Sequence, residues 1–161
     1  MKTTVDKDAV AHTMTVTVEL DVPVERAWQL WADPRQLERW WGPPTYPATV
    51  VEHELAPGGT VHYFMTSPEG EKHHGLWEVV AVEPPHRLEI LDSFADDTGI
   101  KTESMPTTRM TMTLSERTGG GTTMTMYSDF GSVEVMEQMV AMGMEQGLLE
   151  ALSQIDGILA A

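Results

Sequence analysis

The chain has 161 residues, 41% of them apolar, which is enough for one domain with a sizeable core. Its formal charge of −15 disfavours binding to nucleic acid or to anionic membrane surfaces. Cysteine is absent, so disulfides, thiolate catalysis and thiolate metal sites are excluded. We expect a single cytoplasmic domain spanning residues 1–161, because the chain shows neither a signal-peptide pattern nor an apolar run of roughly 20 residues.

The first predicted elements are a strand and two short helices. Alternation of apolar and polar residues predicts a half-buried strand over residues 12–20. Helix-start signals follow at Pro23 and again at Asp33. Four of the five tryptophans lie in residues 23–44. We therefore expect these two helices to pack on, or to close one end of, a large apolar space.

Six further strand-like runs follow, separated by turn signals rich in glycine and proline. They cover residues 47–55, 60–66, 72–82, 87–94, 107–116 and 122–128. Residues 95–106 are polar and irregular, which predicts an exposed loop. Short turns between consecutive strands favour an antiparallel meander.

The C-terminal segment has the pattern of an amphipathic helix. Ser132 is a suitable N-cap, and apolar residues recur every three or four positions up to Ile158. These signals predict one helix of about 27 residues, or roughly 40 Å. Gly143 and Gly147 fall on its buried face, which indicates either close packing on the sheet or space left for another molecule. The fold class is therefore α+β, with a curved antiparallel sheet of about six or seven strands wrapped around a long C-terminal helix.

Several sequence blocks within residues 13–159 share their pattern with one known group of proteins. The blocks are residues 22–28, 33–43, 57–59, 75–80, 83–88, 120–130 and 144–148. The two most specific read Trp40-Trp41-Gly42-Pro43 and Glu83-Pro84-Pro85-His86-Arg87-Leu88. With them the chain resembles the START-like (SRPBCC, helix-grip) superfamily, and within it the branch named for the activator of Hsp90 ATPase, the Aha1 C-terminal-domain-like proteins. Many relatives carry Gly-Trp in the last helix, where this chain has Gly143-Met144.

The resemblance implies an apolar cavity between the sheet and the C-terminal helix, but it does not imply one activity. Three functions stay open. The first is binding of a small apolar or amphipathic molecule. The second is co-chaperone activity on an Hsp90-type ATPase, as part of a stress response. The third is an enzyme of cyclase, hydratase or hydrolase type that uses His62 with a carboxylate or Tyr63. No catalytic residue and no cofactor are assigned.

The residues expected to line the cavity are mostly large and apolar, as is usual for small-molecule sites. They are Trp28, Trp31, Trp40, Trp41, His62, Phe64, Trp77, Met110, Met112, Met124, Met136, Met139, Gly143 and Met144. Because strand side chains alternate, a one-residue error exchanges the two faces, so the face of Tyr63 and Met65 is the alternative to that of His62 and Phe64.

Metal binding and partners complete the expectations. No metal site is expected, because the six histidines show no HxH or HExxH spacing, and adjacent His73 and His74 project to opposite faces of a strand. The expected partner is a small apolar ligand. A homodimer, formed through a sheet edge or the tryptophan helices, and a chaperone partner are left open.

Overall fold

A computed structural model describes residues 1–160 as one eight-stranded antiparallel sheet with five helices. The strands are β1 Lys2–Asp8, β2 Thr13–Leu20, β3 Ala48–His53, β4 Thr60–Thr66, β5 Lys72–Glu83, β6 Arg87–Phe94, β7 Thr107–Glu116 and β8 Thr122–Asp129. The helices are α1 Val24–Ala32, α2 Pro34–Trp40, α3 Val133–Ala141, α4 Met144–Leu152 and α5 Ile155–Leu159. The curved sheet has the order β1-β2-β8-β7-β6-β5-β4-β3. This is the α+β class expected from the sequence.

One face of the sheet carries the core, because alternate residues of β2 to β8 turn apolar side chains to the same side. On β7, for example, Met110, Met112 and Leu114 are buried while Thr111 and Thr113 between them are only half-buried. The buried residues of the strands and of α1 and α2 form one continuous cluster. Hydrophobic burial on this face therefore sets the register of the whole sheet.

The two short helices fill one end of this face with tryptophan. Trp31, Trp40 and Trp77 are fully buried, and the ring centres of Trp31 and Trp40 are 4.9 Å apart at an edge-to-face angle of 73°. The indole N–H of Trp40 donates to the carbonyl of Leu30 at 2.9 Å, which ties α2 to α1. This end of the sheet is a solid aromatic core.

The two ends of α2 hold Trp40 and Trp41 in position. The side chain of Asp33 accepts a hydrogen bond of 2.9 Å from the backbone N–H of Arg35, as an N-cap of α2 should. After α2, a side chain at Gly42 would collide with the backbone of Tyr46 and Ala48. Only glycine lets the chain turn this closely from Trp41 into β3.

The structure corrects the sequence prediction at both ends of the chain. Residues 2–8 form β1, an edge strand that was not predicted, because only Val5 is partly buried and the rest of its pattern is polar. The prediction of a single C-terminal helix of about 27 residues is wrong, because the segment consists of three helices, α3, α4 and α5. Gly143 has a φ of +82°, a left-handed conformation that ends α3 and begins α4. Ser132 caps α3 as expected, accepting from Val135 N–H at 3.2 Å.

No helix in the described part of the chain combines the length and the apolar character needed to cross a bilayer.

The break at Gly143 predicts opposite effects for alanine at the two helical glycines. Gly143→Ala should destabilise the protein by about 1 kcal/mol, because an L side chain is disfavoured at this positive φ. Gly147→Ala should stabilise it by up to about 1 kcal/mol, because that glycine has ordinary helical geometry and open space beside it. Urea unfolding of both variants measures the difference, and two stabilised variants would indicate the continuous helix instead.

Candidate functional site

The other end of the concave face holds a cavity of about 550 Å³ instead of side chains. It lies between strands β4, β6, β7 and β8 and the helices α3 and α4. A second space of about 210 Å³ adjoins it. The two spaces share five of their lining residues, which are Tyr63, Met65, Asp92, Thr108 and Met139.

The cavity exists because α3 and α4 bury little of their own surface. Met136 is the buried residue of α3, and the buried residues of α4, Ala151 and Leu152, lie at its C-terminal end. The turn between the helices is exposed, with Met142 at 51% exposure. Helices α3 and α4 therefore lie over this end of the sheet without packing closely on it, and the cavity lies between the helices and the strands.

Most of the lining is apolar and adaptable. Six of the chain's twelve methionines border the cavity, and methionine is flexible and polarizable. They are Met65, Met110, Met126, Met139, Met142 and Met144. Three aromatic rings complete the wall, those of Trp41, Tyr46 and Tyr63. Such a surface suits an apolar molecule without requiring one fixed shape.

The floor carries one polar pair, a buried phenol and a half-buried carboxyl group. The hydroxyl of Tyr63 on β4 donates a hydrogen bond of 3.0 Å to Oδ1 of Asp92 on β6. The two strands are separated by β5, and the ring of Tyr63 reaches across it because Gly75 has no side chain. Any Cβ at Gly75 would overlap the phenol ring. Gly75 therefore makes the pair possible.

Burial dominates the electrostatics of this pair. Asp92 is half-buried and borders both spaces, so its partial removal from water raises its pKa to about 7, against a smaller lowering by the Tyr63 hydrogen bond. Burial and the neighbouring carboxyl group raise the pKa of Tyr63 well above its usual value. Near neutral pH the pair therefore holds a neutral phenol beside a carboxyl group that is partly ionised.

Trp41 places an unsatisfied donor in the wall. Its indole Nε1–H is buried and, among residues 1–160, makes no hydrogen bond of acceptable geometry. It lies near enough to Tyr63 to lower the pKa of that phenol, yet does not complete a hydrogen bond to it. This nitrogen has almost no accessible surface, so the unpaired donor is enclosed by the core and is not presented to the cavity.

The opposite face of the sheet contains a pair of histidines. Nε2 of His62 and Nδ1 of His74 are 2.9 Å apart, and Gly99 of the 95–106 loop lies against the His62 ring. Burial, followed by the charge of His74, lowers the pKa of His62. Within residues 1–160, no group of three or more histidine and carboxylate side chains is arranged to hold a metal ion.

Five of the fourteen expected lining residues border the cavity. They are Trp41, Met110, Met139, Gly143 and Met144. Ligand binding by these five stays a prediction.

The other nine lie elsewhere, for two physical reasons. Seven are buried in the core cluster, where side-chain packing leaves no space: Trp28, Trp31, Trp40, Trp77, Met112, Met124 and Met136. The remaining two, His62 and Phe64, are on the outer face of β4, because the strand turns Tyr63 and Met65 inward. The alternative face is therefore the one that lines the cavity.

Three polar residues of the floor were missed by the sequence analysis. Asp92, Thr108 and Ser128 each occupy an inward position on their strands. Asp92 could have been found, because it alternates with the buried Leu88 and Ile90 along β6 and its acidic side chain therefore lies on the apolar face.

A family model described as activator of Hsp90 ATPase homolog 1-like protein matches residues 21–160. The chain belongs to this family. No curated protein matches it. The solved structures of similar proteins support both the family assignment and the START-like, helix-grip fold.

Two bacterial structures are similar to this chain in sequence as well as in fold. Protein Ms6760 from Mycobacterium smegmatis is 45% identical, with a TM-score of 0.89 over 98% of this chain and 97% of the other. A protein from Arthrobacter aurescens is 46% identical, with a TM-score of 0.91 over 98% and 91%. A Rhodobacter sphaeroides protein is 25% identical, with a TM-score of 0.83 over 99% of each chain.

Because the pKa of Asp92 is raised, we predict that the free energy of unfolding of this protein depends on pH. The unfolded-state pKa is near 3.8 and the folded-state value is about 7, so the native state binds the extra proton between them. Stability should fall as the pH rises through this window, by up to about 1.4 kcal/mol for each pH unit between the two pKa values.

The measurement compares Asp92→Asn with the parent by urea unfolding. The variant cannot ionise at this position, so its stability relative to the parent should increase from about pH 5 to about pH 8. A relative stability that does not change with pH would show that Asp92 titrates normally.

Proposed function

We propose that this protein binds a small apolar or amphipathic molecule in the cavity beneath α3 and α4. The observation that carries the proposal is the 550 Å³ space itself, whose wall is mostly apolar and whose floor holds the Tyr63–Asp92 pair. The volume lies within the range of about 300–1,000 Å³ that is usual for small-molecule sites. A few polar groups among apolar ones would orient such a molecule.

The entrance supports a ligand that enters from solvent. The exposed residues Tyr46, Met142 and Gln146 border the cavity. They belong to the segment after α2, the turn before Gly143 and the start of α4. Movement of a turn with few buried contacts would admit a ligand without unfolding the sheet.

The chaperone and enzyme alternatives have less support. The family description favours an Hsp90-activator-like role in general terms, but no surface feature argues for that partner more than the cavity argues for a ligand. The enzyme proposal relied on His62, and His62 lies on the outer face of β4, bonded to His74. Ligand binding therefore explains more of the geometry.

Filling the cavity tests the proposal directly. Gly147 borders the cavity and has no atom within 4 Å of an added Cβ, so Gly147→Phe should place its ring in the space. We expect saturable binding of Nile red, a neutral apolar dye, to the parent protein, and a loss of affinity of about tenfold or more in the variant.

Gly157→Phe is the matched control, because Gly157 is also helical, is exposed and has the same open surroundings. It should bind the dye like the parent. The proposal fails if the parent shows no saturable binding, or if both variants bind equally well.

Trp41 should report the ligand. It borders the cavity, whereas the other four tryptophans, all within the described residues, do not. Quenching of tryptophan fluorescence by Nile red should therefore be mostly lost in Trp41→Phe while dye binding, followed by dye emission, persists. Trp28→Phe serves as the control, and equal loss in both variants would place the ligand elsewhere.

A further inference from the structure

The charges around the cavity are of one sign. Its lining contains two carboxyl groups, those of Asp92 and Glu150, and within residues 1–160 it contains no lysine, arginine or histidine. The whole chain carries a formal charge of −15. An anionic ligand would therefore enter a low-dielectric space against like charge and without a cationic partner.

The nearest imidazoles do not change this balance. His73 and His74 border the smaller adjoining space. His73 stands at its solvent side, where its side chain is 57% exposed and lies 3.9 Å from the carboxylate of Glu71. His74 is hydrogen-bonded to His62 on the outer face. At the entrance, the side-chain amide of Gln146 donates to Glu150 at 3.2 Å, so the hydrogen-bond partner of that carboxyl group is neutral.

At the Tyr63–Asp92 pair itself, the free positions accept hydrogen bonds. The Tyr63 hydroxyl already gives its hydrogen to Asp92, so its free lone pairs can only accept. An ionised Asp92 only accepts as well. Folding has already removed part of the water around this carboxyl group, so a ligand that brings N–H or O–H donors meets a partner with a reduced cost of dehydration. Trp41, Tyr46 and Tyr63 add aromatic faces that attract a cation.

We propose that the cavity selects small amphipathic molecules whose polar end is a hydrogen-bond donor, an amine above all, and excludes carboxylates and phosphate esters of the same size. The donor group is held at the Tyr63–Asp92 pair, and the apolar body lies against the methionines beneath α3 and α4. This inference rests on the proposed ligand-binding function and adds the chemical class of the ligand.

The test uses three probes with one apolar body and different head groups: 4-butylbenzylamine, 4-butylbenzyl alcohol and 4-butylbenzoate. Each displaces Nile red from the parent protein at about pH 8, where Asp92 is mostly ionised. We expect the amine to bind about tenfold or more tightly than the benzoate, with the alcohol between them.

Asp92→Asn removes the charge with little change of shape. The amine should then bind no more tightly than the alcohol. The same substitution at exposed Asp97, in the 95–106 loop, should leave the order of affinities unchanged.

A second measurement does not depend on any variant. Between about pH 8 and about pH 6, Asp92 takes up a proton, so the amine should weaken several-fold while the alcohol stays constant. The other titratable groups that border the two spaces are Tyr46, Tyr63, His73, His74 and Glu150. Protonation of either histidine would also weaken an amine, but that effect would persist in Asp92→Asn.

The outcomes separate the two proposals. Absence of saturable Nile red binding refutes the ligand-binding function and this inference with it. Binding of the dye, together with a benzoate that competes as well as the amine, overturns only the inference. The inference is also overturned if none of the three probes displaces the dye, or if the amine is still preferred by Asp92→Asn.

Discussion

The packing of tryptophans between α1, α2 and β5 is the interaction on which the rest of the structure depends. The ring centres of Trp41 and Trp77 are 4.8 Å apart, and those of Trp31 and Trp77 are 5.9 Å apart. These contacts fix both short helices on one end of the concave face and fill that end completely. Trp41 stands at the limit of this solid core, with its neighbours on one side and the cavity on the other. The tryptophans thus determine where the core ends and where the empty space begins.

The cavity follows from what the remaining elements do not fill. The left-handed Gly143 turns the chain between α3 and α4, and the two helices bury few residues against the sheet. Beneath them, six methionines present an adaptable apolar surface, while Gly75 lets Tyr63 reach Asp92 across an intervening strand. A carboxyl group that is partly removed from water in such a place costs stability. Its presence is understandable if its role is to meet a polar group of a ligand.

Much of the fold could be predicted from the sequence, because alternation and turn residues define the strands from residue 12 to residue 129 and the tryptophan helices between them. The site could be predicted less well. On β4 both faces have aromatic residues, so local pattern could not decide between His62 and Tyr63, and only the tertiary packing does so. Gly143 fits a helical period as well as a helix end, and β1 is an exposed strand with little apolar signal. Asp92 was missed because an acidic residue on a strand is normally assigned to solvent.

Methionine-methyl NMR tests the central claim, that one end of the sheet is solid and the other binds a ligand. The protein would be labelled with ¹³C at its methionine methyl groups and titrated with Nile red. We expect the six cavity methionines to shift with saturation, whereas Met112 and Met124, which are fully buried in the core cluster and do not border the cavity, stay in place. Shifts in the core methionines with none at Met110, Met126 and Met139, or no saturable shift at all, would contradict it.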